Sequence, residues 1–237
     1  MNIDKYKNKY ISILGDSIST FEGSSEPKDA AFYNTERKII SHVTTLSDTW
    51  WGQVIEKLEA NLLVNNSISG STVTWHPSYE IQSYGCSDER TNALSKDGIS
   101  PDVIIVYLGT NDWGAGVKIV DNNKPDDLTV FYNAYREMLR KLRTNYPRAI
   151  ICCLTLATSF CSQRKDFEFP YYSGGWHIAE YCNVIKRCAE ENQCMIIDLF
   201  NCMEPYDTID GFHPNSDGMK SIADAIFTCL KSNTKEG

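Results

Sequence analysis

The sequence predicts an α/β fold, a mostly parallel, five-stranded, flavodoxin-like sheet with helices on both faces. Three observations predict it. Apolar runs alternate with amphipathic stretches along the chain, the pattern of strand–helix units. The run 103–108 is apolar throughout, as a strand covered on both faces should be. Polar, glycine-bearing segments follow the apolar runs, where an open parallel sheet places its ligands.

The first strand is expected at about 10–14, stopped by Gly15. A helix over about 49–60 follows, with Ser47 or Asp48 placed to cap its free N–H groups. Its apolar residues Trp50, Trp51, Val54, Ile55 and Leu58 fall at helical spacing. The second and third strands are expected at about 62–65 and 103–108. A long helix at about 127–145 carries the stripe Phe131, Ala134, Tyr135, Met138, Leu139 and Leu142, with Pro147 just past its end. A strand at about 149–156, a helix at 178–192, a strand at 195–199 and a helix at 216–230 complete the pattern. Three segments are long or polar for plain connections: 21–46, 75–100 with a short helix near 88–94, and the aromatic 159–176. Such segments serve as binding loops or lids. No repeat or linker divides the chain, so 1–237 is read as one domain.

Composition excludes several functions. The net charge of −8 argues against neutralising nucleic-acid phosphates. No apolar run approaches the roughly 18 residues of a membrane helix, and the first ten residues lack the apolar stretch of a signal peptide. A soluble, cytoplasmic protein is therefore expected. The nine cysteines are odd in number and contain no Cys-x-x-Cys pair, so they read as reduced thiols rather than a zinc or redox motif.

The segments after the strands carry the chemistry. They are Gly15-Asp16-Ser17-Ile18-Ser19, then Asn65-Asn66-Ser67-Ile68-Ser69-Gly70-Ser71, then Gly109-Thr110-Asn111-Asp112, and finally Asp210-Gly211-Phe212-His213-Pro214. Brought to one sheet edge, they supply a hydroxyl, backbone N–H groups, a side-chain amide and an acid–imidazole pair. A serine hydroxyl needs a base to take its proton, and an imidazole serves near neutral pH. A carboxylate fixes the imidazole tautomer, and preorganised donors hold the oxyanion. Ser17 is thus the candidate nucleophile, His213 the base and Asp210 the orienting acid. The Ser17 N–H, the Gly70 N–H and the Asn111 amide are the candidate oxyanion donors.

These four blocks, in this order, resemble the SGNH or GDSL-type hydrolases. Gly15-Asp16-Ser17 matches the first block, Gly70 the second, Gly109-Thr110-Asn111-Asp112 the third and Asp210-x-x-His213 the last. The resemblance spans Ile11 to about Gly218. Ile18 stands where the family motif usually has leucine, and Ser19 rules out a Gly-x-Ser-x-Gly elbow. The resemblance implies a three-layer α/β/α sandwich and ester hydrolysis without a metal or other cofactor. It also implies a site open to varied substrates.

Among neighbouring residues, Asp112 is read as a brace for its loop, and Asp198 as structural. Asp207 is a competitor of Asp210. His42, His76 and His177 are assigned to surface or lid positions. Trp113, Trp75 and Trp176 are the candidate substrate contacts. The expected activity is hydrolysis of short acyl esters, such as acetyl groups on carbohydrates, with no nucleic-acid or membrane partner. A lysophospholipase or thioesterase of the same fold is the catalytic alternative. The non-catalytic one is a flavodoxin-like module holding FMN, with Ser17, Ser19 and Thr20 as its phosphate-cradling loop.

Overall fold

The computed structural model describes residues 3–25, 31–76, 84–121 and 123–232. From the N-terminus, β1 (Tyr10–Gly15) leads through α1 (Thr35–Ser41) and α2 (Trp50–Lys57) to β2 (Asn61–Ser67). The short α3 (Asp88–Asn92) precedes β3 (Val103–Tyr107), and α4 (Thr110–Gly114) and α5 (Phe131–Asn145) precede β4 (Ile150–Leu154). Three two-residue strands follow, β5 (Ser159–Phe160), β6 (Tyr172–Ser173) and β7 (Trp176–His177). Then come α6 (Ile178–Glu191), β8 (Met195–Ile197), α7 (Leu199–Cys202), β9 (Tyr206–Asp207) and α8 (Ser216–Ser232).

The expected sheet is present. Five parallel strands lie in the order β2-β1-β3-β4-β8. Side chains of β3 alternate between two cores. Ile104 and Val106 join Tyr135, Met138 and Leu139 of α5 and Tyr181 and Ile185 of α6. Val103, Ile105 and Tyr107 join Trp50, Trp51 and Val54 of α2 and Met219, Ile222 and Ile226 of α8. The result is a three-layer α/β/α sandwich. Each fully buried aliphatic side chain contributes about 1.5–3 kcal/mol by leaving water. The strand order reverses at β1, so a crevice opens beyond the carboxyl ends of β1 and β3.

Several boundaries differ from the sequence reading, each for a local reason. The long helix begins at Phe131 rather than near 127. The Asp127 carboxylate accepts from the Thr129 N–H at 3.0 Å and hydroxyl at 2.6 Å, which closes a turn instead of a helical start. Thr49, not Ser47 or Asp48, caps α2 by accepting from the Gly52 N–H at 3.0 Å. Asp48 instead accepts from the Thr44 and Thr45 N–H groups. β2 continues through polar Asn65, Asn66 and Ser67. The fifth strand stops at Ile197, because Leu199 opens α7.

Of the three expected loop insertions, 159–176 holds small pairings: β5 with β9, and the β6–β7 hairpin. The insertions 21–46 and 75–100 contain α1 and α3, while their residues 26–30 and 77–83 lie outside the described residues.

Gly109 turns the chain from β3 into α4 with φ of 124°. A Cβ there would also lie 3.2 Å from the Phe131 ring. Gly109→Ala is expected to lower the unfolding free energy by about 1–3 kcal/mol, measured by urea denaturation. An unchanged midpoint would contradict this reading of the turn.

Candidate active site

β1 ends at Gly15, where a Cβ would collide with Ser19 and Ser67 side chains. The chain then winds into one tight turn over Ser17–Ser19. The Asp16 carboxylate caps that turn, accepting from the Ile18 N–H at 3.0 Å. Trp51 and Asn65 both donate to the Ser19 carbonyl at 2.9 Å. Ser17 is therefore held at the rim of the sheet, 7% exposed. Burial pushes the Asp16 carboxyl up to about 7, against the Ile18 hydrogen bond that favours its charged form.

The loop between β9 and α8 brings the imidazole to this serine. His213 Nε2 lies 2.9 Å from Ser17 Oγ, and Nδ1 lies 2.8 Å from Asp210 Oδ2. The other Asp210 oxygen accepts from the His213 N–H at 2.8 Å and the Phe212 N–H at 3.0 Å. Asp210 is pulled down to about 2: burial opposes its charge, but hydrogen bonds and the nearby imidazole outweigh that cost. An ionised carboxylate only accepts, so Nδ1 carries the proton and Nε2 is left to accept from the Ser17 hydroxyl. Distant side chains pin the loop. Tyr33 donates to the Pro214 carbonyl at 2.8 Å, Tyr206 to Phe212 at 2.9 Å and Ser159 to Gly211 at 2.6 Å. Phe32 stacks on the imidazole, with ring centroids 3.5 Å apart and planes at 8°.

The turn after β2 lies beside Ser17. Ile68 donates to the Gly15 carbonyl at 3.2 Å, and Ser71 donates back to Ile68 at 3.1 Å. Gly70 sits between them with φ of 77°. Among the described residues, neither the Ser17 N–H nor the Gly70 N–H meets an acceptor. The Asn111 amide donates to the Ser71 carbonyl at 2.8 Å, so this turn and α4 are tied together. Asp112 braces the same region, accepting from the Val73 N–H at 2.8 Å, the Thr74 N–H at 3.0 Å and the Thr74 hydroxyl at 2.7 Å. Burial raises Asp112 to about 6 in spite of these bonds.

The GDSL-like lipase/acylhydrolase family model matches residues 9–161. The chain belongs to this family. It is accordingly a hydrolase of carboxylic esters. The fold matches a GDSL-like lipase of Bacteroides ovatus at 27% identity, with 95% of this chain and 99% of that one covered and a TM-score of 0.71. A GDSL-like lipase of Bacteroides uniformis matches at 28% identity over 98% and 100% of the two chains, with a TM-score of 0.71. A carbohydrate acetylesterase of Sinorhizobium meliloti shares the fold at 14% identity over 95% and 100%, with a TM-score of 0.63. No curated protein matches the chain.

The hydrolase also corrects parts of the sequence reading. Trp113 is no substrate contact, because it is 1% exposed and stacks on Phe169 at 5.3 Å. Trp176 is half-buried and packs on the core. Trp75 alone of the three is open, at 41% exposure, directly after the Asp112-bound Thr74. His177 caps α6, its Nδ1 accepting from the Ala179 N–H at 3.1 Å. Asp207 is occupied by Ser162, Thr208 and Asn215, and Asp198 by Thr155, Lys186 and Asn201, so neither competes with Asp210. The Thr20 hydroxyl is turned inward, donating to the Ser17 carbonyl and accepting from Phe32, and Ser19 accepts from Trp50. That leaves no serine–threonine cradle for a phosphate at this turn.

Sequence reasoning missed Arg90 and Phe32. Arg90 lies in a polar stretch with the look of a surface helix, yet it is 2% exposed. Phe32 gives no local signal, since only the fold brings it to His213. Among the described residues, no group of three or more His, Cys, Asp or Glu side chains could hold a metal ion, and no helix is long and apolar enough to cross a membrane.

The depressed Asp210 value has a consequence for stability. The native state sheds this proton more readily than an unfolded chain, whose aspartates titrate near 3.9. The stabilisation is complete above about pH 5 and is lost as pH falls toward 2. Comparing urea midpoints of the parent and Asp210→Asn between pH 2 and 7, the gap should widen with pH and level off above about 5. A gap independent of pH would contradict the assignment of this charge.

Proposed function

We propose that the chain is a serine esterase of short acyl esters, with O-acetyl groups on carbohydrates as the substrate class. Ser17 is the nucleophile, His213 the general base and acid, and Asp210 the residue that orients the imidazole. The observation that carries the reading is the hydrogen-bonded line from Asp210 through His213 to Ser17, with separations of 2.8 and 2.9 Å.

In this mechanism, His213 Nε2 takes the Ser17 proton as Oγ attacks the ester carbonyl. The tetrahedral oxyanion accepts from the Ser17 and Gly70 N–H groups, which have no other acceptor among the described residues. Asn111 contributes the second hydrogen of the amide that already donates to Ser71. The protonated imidazole next gives its proton to the leaving alcohol. Water then attacks the acyl-enzyme, with the same histidine as base. The preference for a sugar alcohol rests on the open aromatic groups Trp75, Tyr171 and Tyr172, whose faces suit a pyranose ring. The Sinorhizobium meliloti acetylesterase is consistent with it only through the shared fold.

Ser17→Ala is expected to abolish hydrolysis of p-nitrophenyl acetate while the thermal unfolding midpoint stays close to that of the parent. Equal rates in both proteins would end the assignment. Asn111→Ala should lower kcat by about 10²–10³-fold. A change confined to KM would make the amide a ground-state contact instead. Across a p-nitrophenyl ester series from acetyl to decanoyl, kcat/KM should be highest at acetyl. A maximum at long chains would favour a lysophospholipase or thioesterase.

A further inference from the structure

Arg90 is the largest buried charge that the mechanism does not use. It sits in α3, remote in sequence from every catalytic block, and its guanidinium lies under the site. One face of the fork reaches β1 and β2: Nη2 donates to the Gly15 carbonyl at 2.9 Å and to the Asn66 carbonyl at 2.8 Å. Nε donates to the Asn66 side-chain oxygen. Nη1 donates to Ser71 Oγ at 2.7 Å. The Ser71 carbonyl in turn holds the Asn111 amide at 2.8 Å.

These acceptors bracket the oxyanion donors. Gly15 lies two residues before Ser17. Asn66 and Ser71 flank the turn that carries Gly70, and Asn111 hangs from Ser71. A single rigid cation therefore touches both chain segments whose N–H groups must converge on one oxygen. A lysine offers one nitrogen and cannot span four acceptors in a plane. The positive charge also lies near the buried Asp16 carboxylate and favours its ionised form, the form that best grips the Ile18 N–H beside Ser17.

We propose that Arg90 is a positioning residue for the oxyanion donors: its guanidinium fixes the end of β1 against the 66–71 turn and, through Ser71, sets the Asn111 amide. The proposal rests on the reading of Ser17, Gly70 and Asn111 as those donors. Donor geometry is exacting, and displacement by about 1 Å costs on the order of 10²-fold in rate. Loss of the clamp should thus slow the chemical step and leave substrate binding nearly intact.

The test measures p-nitrophenyl acetate kinetics and thermal unfolding for Arg90→Lys, Asn111→Ala and the double variant. Arg90→Lys should lower kcat by about 10–10²-fold with KM changed less than about threefold. In the Asn111→Ala background the same substitution should cost several-fold less than in the parent, because one of the donors it aligns is already gone while the Ser17 and Gly70 N–H groups remain. Arg90→Ala should be slower still, and added guanidinium at millimolar concentration should restore its kcat at least several-fold. If Arg90→Lys fails to fold, Ser71→Ala, which removes the Nη1 contact together with the Ser71 hydroxyl's bond to the Thr72 carbonyl, should show the same kcat-only loss at about three- to tenfold. A folded Arg90→Lys (or, failing that, Ser71→Ala) with parental kcat, a loss confined to KM, or an equal cost in both backgrounds would overturn the proposal. Parental kcat in Asn111→Ala alone would instead overturn the oxyanion reading on which it stands.

Discussion

The two hydrogen bonds of the His213 imidazole are the constraint on which the rest of the site depends. One ties His213 to Asp210 three residues before it, and the other joins residues 196 positions apart, Ser17 after the first strand and His213 before the last helix. Neither end can drift without losing the line. The parallel sheet satisfies this by placing both chain turns beyond its carboxyl edge, at the reversal of strand order. Fine adjustment falls to polar side chains. The Tyr33 and Tyr206 hydroxyls and Ser159 each hold a carbonyl of the His213 loop, and Phe32 covers one face of the ring.

Beneath this surface lies an unusual floor for an apolar fold. Asp16, Asp112 and Arg90 are all fully or nearly fully buried, each with at least one hydrogen bond. Burying charges costs stability unless their partners are well placed. The fold accepts that cost where it fixes backbone N–H groups: Asp16 holds Ile18, and Asp112 holds Val73 and Thr74. Polar groups in the core thus act on the loops above them, including the turn that carries Ser17.

Much of this could be read from residues alone, where one local signal decides. The run 103–108 announced a central strand, Gly15 announced the end of the first one, and Asp210-x-x-His213 placed a carboxylate within reach of its own histidine. Failures occur where a polar residue is buried by distant partners. The second strand read as ending at Asn65, but Asn66 and Ser67 extend β2 because Ser19, Arg90 and each other satisfy the side chains of Asn65, Asn66 and Ser67. Trp113 read as an open ring because it follows Asn111 and Asp112. Helical geometry turns it inward, against Phe169. Arg90 could not be found at all, since its acceptors come from two other segments, the end of β1 and the 66–71 turn.

The central claim is that Ser17 is the activated nucleophile. A p-nitrophenyl alkylphosphonate tests it most directly, because such a reagent phosphonylates only a hydroxyl whose proton a neighbouring base removes. Mass spectrometry of the digested protein should find one adduct, on the peptide carrying Ser17, and His213→Ala should slow its formation by orders of magnitude. An unmodified Ser17 peptide after complete loss of esterase activity, or an adduct on another hydroxyl, would contradict the account.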